Sequence, residues 1–224
     1  FNSMNVPFIK SLFLTVTLFS LFAMDMNGQT PVKNYDNEWK KVEAAVNKGL
    51  PKSALEEVKK IYTLAKKENQ GAQVIKALVY MTALQIENRE DNEVFSIAEI
   101  EKEITGSKEP VRSILKNLLA EMYYNYYQQH RWQLYNRTKT ENFSKTDIAT
   151  WDAEDFHKKI SELYLQSIKE EKLLQQTKLH PYDAIIEKGN VRHLRPTLYD
   201  LLANRALNYF ENDERDIRKP AYAF

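Results

Sequence analysis

The sequence predicts an all-α protein, an irregular array of antiparallel helix pairs of tetratricopeptide-like kind, behind an N-terminal signal peptide. Three observations lead there. Apolar residues recur three and four positions apart along most of the chain, the spacing that gathers them on one face of a helix. The five Gly and seven Pro fall between these periodic segments, where helices end and begin. No stretch sustains the period-two alternation of a half-buried strand, so no sheet is expected.

Residues 8–24 stand apart from the rest. Lys10 supplies a positive start, the run SLFLTVTLFSLFAM follows, and the chain turns polar at once afterwards. The run is short for a spanning helix, and a secretory signal peptide over residues 1–29 is expected, with cleavage near Gly28-Gln29. An uncleaved N-terminal anchor is the rival reading. Met4 reads as the initiator, so Phe1-Asn2-Ser3 is expected to lie outside the translated product. The final Lys-Pro-Ala-Tyr-Ala-Phe has no terminal cap, and the chain is expected to be a fragment of a longer reading frame. Residues 30–224 form the expected helical domain.

The first helix pair spans 37–68. Trp39, Val42, Val46 and Leu50 make one apolar stripe, and Leu55, Val58, Ile61, Tyr62 and Ala65 make the next, joined by a Gly49-Leu50-Pro51 turn. The pair has about the length of one tetratricopeptide unit, with Trp39 and Ala54 near consensus places, whereas later pairs drift in length. Residues 74–86 are apolar on nearly every side, as in a central, buried helix. Ile97, Ile100 and Ile104 form a narrower stripe ended by Gly106. Val111, Ile114, Leu115, Leu118, Met122 and Tyr126 form a long one. A polar connection is expected from 128 to 149. Thr150 or Asp152 then caps a helix with the stripe Phe156, Ile160, Leu163, Tyr164 and Ile168. A short helical piece at 181–188 ends at Gly189, and Pro196 opens the last helix, with Leu198, Leu202, Ala206 and Tyr209 on one face.

Composition narrows the function. Lys and Arg number 32 against 31 Asp and Glu, which predicts no nucleic-acid partner. There is no Cys, hence no disulfide framework, thiol chemistry or lipid attachment after the apolar run. No Gly-x-Ser-x-Gly elbow, phosphate-binding Gly loop or zinc motif occurs. Glu154 and His157 have the Glu-x-x-His spacing of di-iron bundles, but His130, His180 and His193 lack a Glu three places before them, so the second half of such a site is missing. A solvated helix face is the expected reading there. Paired acids such as Glu56-Glu57 and Glu170-Glu171 sit among Lys and read likewise. The expectation is a non-enzyme with no cofactor and no metal, and with no membrane span once the signal is removed.

Two clusters remain as candidate docking surfaces. The run 123–135, YYNYYQQHRWQLY, carries Tyr127, His130, Arg131, Trp132 and Tyr135; such aromatics can pack in the core, dock another domain or stack on sugar rings. Arg192 and Arg195 precede the last helix, where its dipole disfavours cations. Ion pairs with Asp183, Glu187 or Asp200 are the plainer reading, and an anion or partner-domain contact is the other. Asn136-Arg137-Thr138 and Asn142-Phe143-Ser144 match the N-glycosylation pattern, which matters only in a eukaryotic secretory setting.

Several collinear segments carry a resemblance. They are YDNEWKKVEAAVNKGLPKSALEEVKKIYTLAKKEN, QVIKALVY, the Tyr-Tyr-x-x-x-Arg-Trp-x-x-x-Asn-Arg-Thr pattern at 126–138, IATWD and LRPTLYDLLANRAL. Together, over about 35–224, they resemble the N-terminal helical region of the very large alpha-2-macroglobulin-like proteins of Bacteroidetes. That resemblance implies an exported module in the periplasm or cell envelope. Its partners would be the downstream macroglobulin domains of the same polypeptide and an envelope protein, and the full-length role would be protease trapping. The family's bait region and thioester have no counterpart in these residues, so no functional residue carries over. A stand-alone helical-repeat module that binds a protein or glycan is the alternative.

Overall fold

The computed structural model describes residues 33–86, 92–135, 147–186 and 192–212. The expected signal peptide, both glycosylation patterns, Glu187, Gly189 and the C-terminal Lys-Pro-Ala-Tyr-Ala-Phe lie outside them. Among the described residues the protein is all-helical: α1 (Asp36–Asn47), α2 (Pro51–Lys67), α3 (Gly71–Ile86), α4 (Asn92–Gly106), α5 (Val111–Tyr135), α6 (Ala153–Ser167), α7 (Glu171–Gln176) and α8 (Leu198–Phe210). The nearest approach to a sheet there is one isolated bridge between Lys178 and Thr197.

The turns of the first half share one device. After α1, Gly49 takes a left-handed φ of 67°, its N–H donates to the Val46 carbonyl, and the Leu50 N–H reaches back to Ala45. After α2, Asn69 takes φ 55°, its N–H donates to Lys66, and the Gln70 N–H donates to Ala65. Both are Schellman closures, which satisfy carbonyls that the helix end leaves without partners. The Gly49 turn matches its sequence signal. Gly71, by contrast, opens α3 instead of ending α2. A Cβ there would stand 2.4 Å from Val111 Cγ2, so its lack of a side chain lets the starts of α3 and α5 approach.

The apolar stripes sort as the periodicity predicts, with four differences. Trp39 and Val42 are buried, but Val46 and Leu50 at the α1 end are 45% and 48% exposed. In α3 the burial is incomplete: Val74, Ile75, Ala77, Leu78 and Leu84 are buried, whereas Val79 is 43% exposed and Ala83 faces solvent. In α5 Leu115, Leu119, Ala120, Tyr123, Tyr127 and Leu134 are buried, and Leu119, Tyr123 and Tyr127 lie one position beyond the stripe read from sequence. That helix packs against α3, α4, α6 and α8, so no single face marks its core side. The fourth difference is α7, a short helix between α6 and Pro181 that the apolar spacing did not reveal. The 181–188 piece appears as a 3-10 turn over His180–Tyr182.

Capping fixes the start of the later helices. Asp152, not Thr150, caps α6: its side chain accepts from the Asp155 N–H, and the Asp155 carboxylate accepts from the Asp152 N–H. Thr197 and Asp200 form the same reciprocal box at α8, so Pro196 lies ahead of the cap. The stripes behind these caps are as expected. Phe156, Ile160, Leu163 and Tyr164 are buried in α6, and Leu198, Leu202, Ala206 and Tyr209 in α8.

Cross-helix contacts give the directions. Tyr123 donates to Glu101 at 3.0 Å while His130 meets Glu93 at 3.3 Å, so α4 and α5 are antiparallel. Asn117 reaches Ser167 and Tyr127 packs on His157, so α5 and α6 are antiparallel too. Asn117 also donates to the Leu202 carbonyl, Arg205 pairs with Glu121 and Asn212 donates to Tyr124, so α8 lies parallel to α5.

Candidate functional site

The aromatic run of α5 is the densest cluster of candidate residues, and most of it belongs to the core. A helix through 123–135 needs no Gly or Pro to break it, and the chain stays helical to Tyr135. The polar connection expected from residue 128 is therefore wrong for its first turns. Leu134, two helical turns beyond Tyr127, is 2% exposed and anchors the extension.

Phe156 of α6 is the hub. It is fully buried, with the rings of Trp151, Tyr126, Tyr127 and Tyr123 at 5.1, 5.5, 6.0 and 6.3 Å. Tyr123 also stacks on Trp151 at 5.4 Å with planes 8° apart. These are the offset and edge-on separations at which aromatic quadrupoles attract. Burial, with Glu101 beside it, pushes the Tyr123 hydroxyl well above its ordinary range. Tyr127, proposed from sequence as a docking residue, is 4% exposed and belongs to this core.

His157 continues the seam. Its ring lies 4.7 Å from Tyr127, and Nδ1 lies 2.8 Å from the Tyr209 hydroxyl. The solvated helix face expected for the Glu-x-x-His pair is thus incorrect on the His157 side, although Glu154 is exposed. Among the described residues, no group of three or more His, Asp or Glu side chains is placed to hold a metal ion.

The remaining candidates divide. His130 is half-buried against Glu93, with the Tyr126 ring 4.4 Å away. Arg131 lays its guanidinium 5.4 Å from the Trp132 ring centre, and Trp132 is 77% exposed. Tyr135 closes α5, and its side chain lies outside the described residues. Arg192 pairs with Asp183 at 2.5 Å, the plainer of its two readings. Arg195 is exposed, while Asp200 serves the α8 cap. Arg192 sits in a 3-10 turn and Arg195 just after it, so neither occupies the first turn of α8.

The two docking clusters do not form one surface. Because α8 is parallel to α5, Leu202 marks the level of Asn117, and Arg195 lies beyond it toward the α5 start. Trp132 lies about 22 Å of helix the other way.

A groove that the sequence did not suggest opens between α3, α4 and α5. Val79, Ala83, Ile97, Leu118 and Met122 give it an apolar lining, and its volume is about 260 Å3. It escaped the sequence reading because its walls come from three helices whose outward residues carry no shared motif. No helix among the described residues is long and apolar enough to cross a membrane. Comparison with protein-family models, curated proteins and solved structures finds no match.

Proposed function

We propose that this chain is a non-catalytic helical scaffold module at the N-terminus of an exported alpha-2-macroglobulin-like envelope protein. Residues 1–29 direct its export, and downstream macroglobulin domains are its intramolecular partners. The observation that carries this reading is the fate of the candidate residues. Tyr127 and His157 are spent on packing helices together, while the Arg131–Trp132 pair is left at the end of α5 as a contact surface. The first two helix pairs, Asp36–Lys67 and Gly71–Gly106, support the repeat-like description, since each is close to the roughly 34 residues of a tetratricopeptide unit. α5, at 25 residues, makes the array irregular.

Translation of the reading frame beyond Phe224 tests the proposal. Macroglobulin-type β-sandwich domains are expected, and a stop codon directly after Phe224 contradicts it. The exposure of Trp132 favours one second reading, a self-contained module that binds a protein or glycan through this aromatic. On that reading Trp132→Ala abolishes binding to a glycan array while the melting temperature holds. An unchanged array profile opposes it.

A further inference from the structure

We propose that the groove between α3, α4 and α5 is a binding site for a small cationic amphiphile, a primary amine carrying one ring or a short alkyl body. The inference is independent of the scaffold reading. Three features of the groove define the ligand. Its lining is mostly apolar, and Met122 and Ile97 on facing helices suit a ring or alkyl chain. Its volume of about 260 Å3 lies just below the ~300 Å3 at which sites for drug-sized ligands begin, which limits the body to about one ring.

The second feature is charge. Among the described residues that line the groove, Glu93 alone is charged, and no Lys or Arg offsets it. Glu93 is one-third exposed and has Oε2 on the His130 ring, so a carboxylate of the lining stays accessible to an ammonium. An anionic ligand would face that carboxylate instead. The third feature is Ser96. It is 2% exposed, lines the same groove, and its hydroxyl finds no hydrogen-bond partner among the described residues. A buried hydroxyl left this way is costly, and the same ammonium, donating also to Glu93 three positions earlier on α4, would satisfy it. Thr82, also in the lining, already donates its hydroxyl to the Leu78 carbonyl at 2.6 Å.

The test uses the full chain and three probes with the same ring: phenethylamine, phenethyl alcohol and phenylacetate. Binding is followed by the methyl resonance of 13C-labelled Met122. Phenethylamine is expected to shift it saturably, at least fivefold more tightly than the alcohol and more tightly still than the acid. Glu93→Gln is expected to remove that preference with the melting temperature unchanged. Ala83→Trp, at an exposed position on the groove wall, is expected to block all three probes. Absence of a saturable shift with phenethylamine overturns the site. Equal binding of amine and alcohol, or an unchanged preference in Glu93→Gln, overturns the cationic assignment.

Discussion

Gly49 and Asn69 do the same work with different chemistry. Both hold the left-handed conformation that ends a helix, where a Cβ costs roughly 1–2 kcal/mol and Asn is better tolerated than most residues. Space around Gly49 is open, so Gly49→Ala isolates the backbone term. Urea unfolding should show a loss of about 1 kcal/mol for Gly49→Ala and a neutral or stabilising Asn69→Gly. A neutral Gly49→Ala would refute the turn geometry. The tyrosines supply a second residue-scale expectation. Burial, with the Glu109 carboxylate nearby, pushes the Tyr182 hydroxyl up to about 12, and burial raises Tyr35, Tyr123 and Tyr164 as well. Unfolded tyrosine ionises near pH ~10. A pKa raised by folding means the stabilisation is complete below pH ~10 and is lost as pH climbs toward about 12 for Tyr182. In an alkaline titration these residues should ionise late and together with loss of helical circular dichroism. Ionisation of all tyrosines near pH ~10 with the helices intact would contradict their burial.

Legibility changes from helix to helix. The buried face of α8 could be read from Leu198, Leu202, Ala206 and Tyr209, whereas its start, read at Pro196, lies at the Thr197–Asp200 cap. α6 was open through the Phe156 stripe, with its cap narrowed to Thr150 or Asp152, of which the structure uses Asp152. α5 resisted because Tyr123, Tyr124, Tyr126 and Tyr127 leave no periodic contrast, and four neighbouring helices bury residues on more than one of its faces. Sequence could name this cluster as unusual, but only packing could separate enclosed Tyr127 from exposed Trp132. The same contrast sets the energetics. Phe156→Ala removes the hub of four rings and should cost about 3–5 kcal/mol, as for other buried aromatic truncations. Trp132→Ala should stay within about 0.5 kcal/mol of the parent. Equal losses at the two sites, measured by denaturant unfolding, would mean the division into core and surface is misplaced.

At the level of the whole molecule, composition and periodicity were enough for the all-helical class. The groove was not legible, since Val79, Ile97 and Met122 are distant in sequence and meet only through the tertiary arrangement. The close approach of α3 and α5 at Gly71 was also hidden, because Gly71 reads as a helix stop and acts as a packing position. Gly71→Ala should destabilise the fold, and Gly71→Ala with Val111→Ala should recover part of that loss by relieving the 2.4 Å contact. A double variant no better than Gly71→Ala alone would argue against the approach. The proposal that these helices open a larger exported macroglobulin-like protein is checked by reading the coding sequence downstream of Phe224. It predicts an uninterrupted frame that continues into β-sandwich domains of the macroglobulin kind. A stop codon immediately after Phe224, or continuation into an unrelated domain, would contradict it.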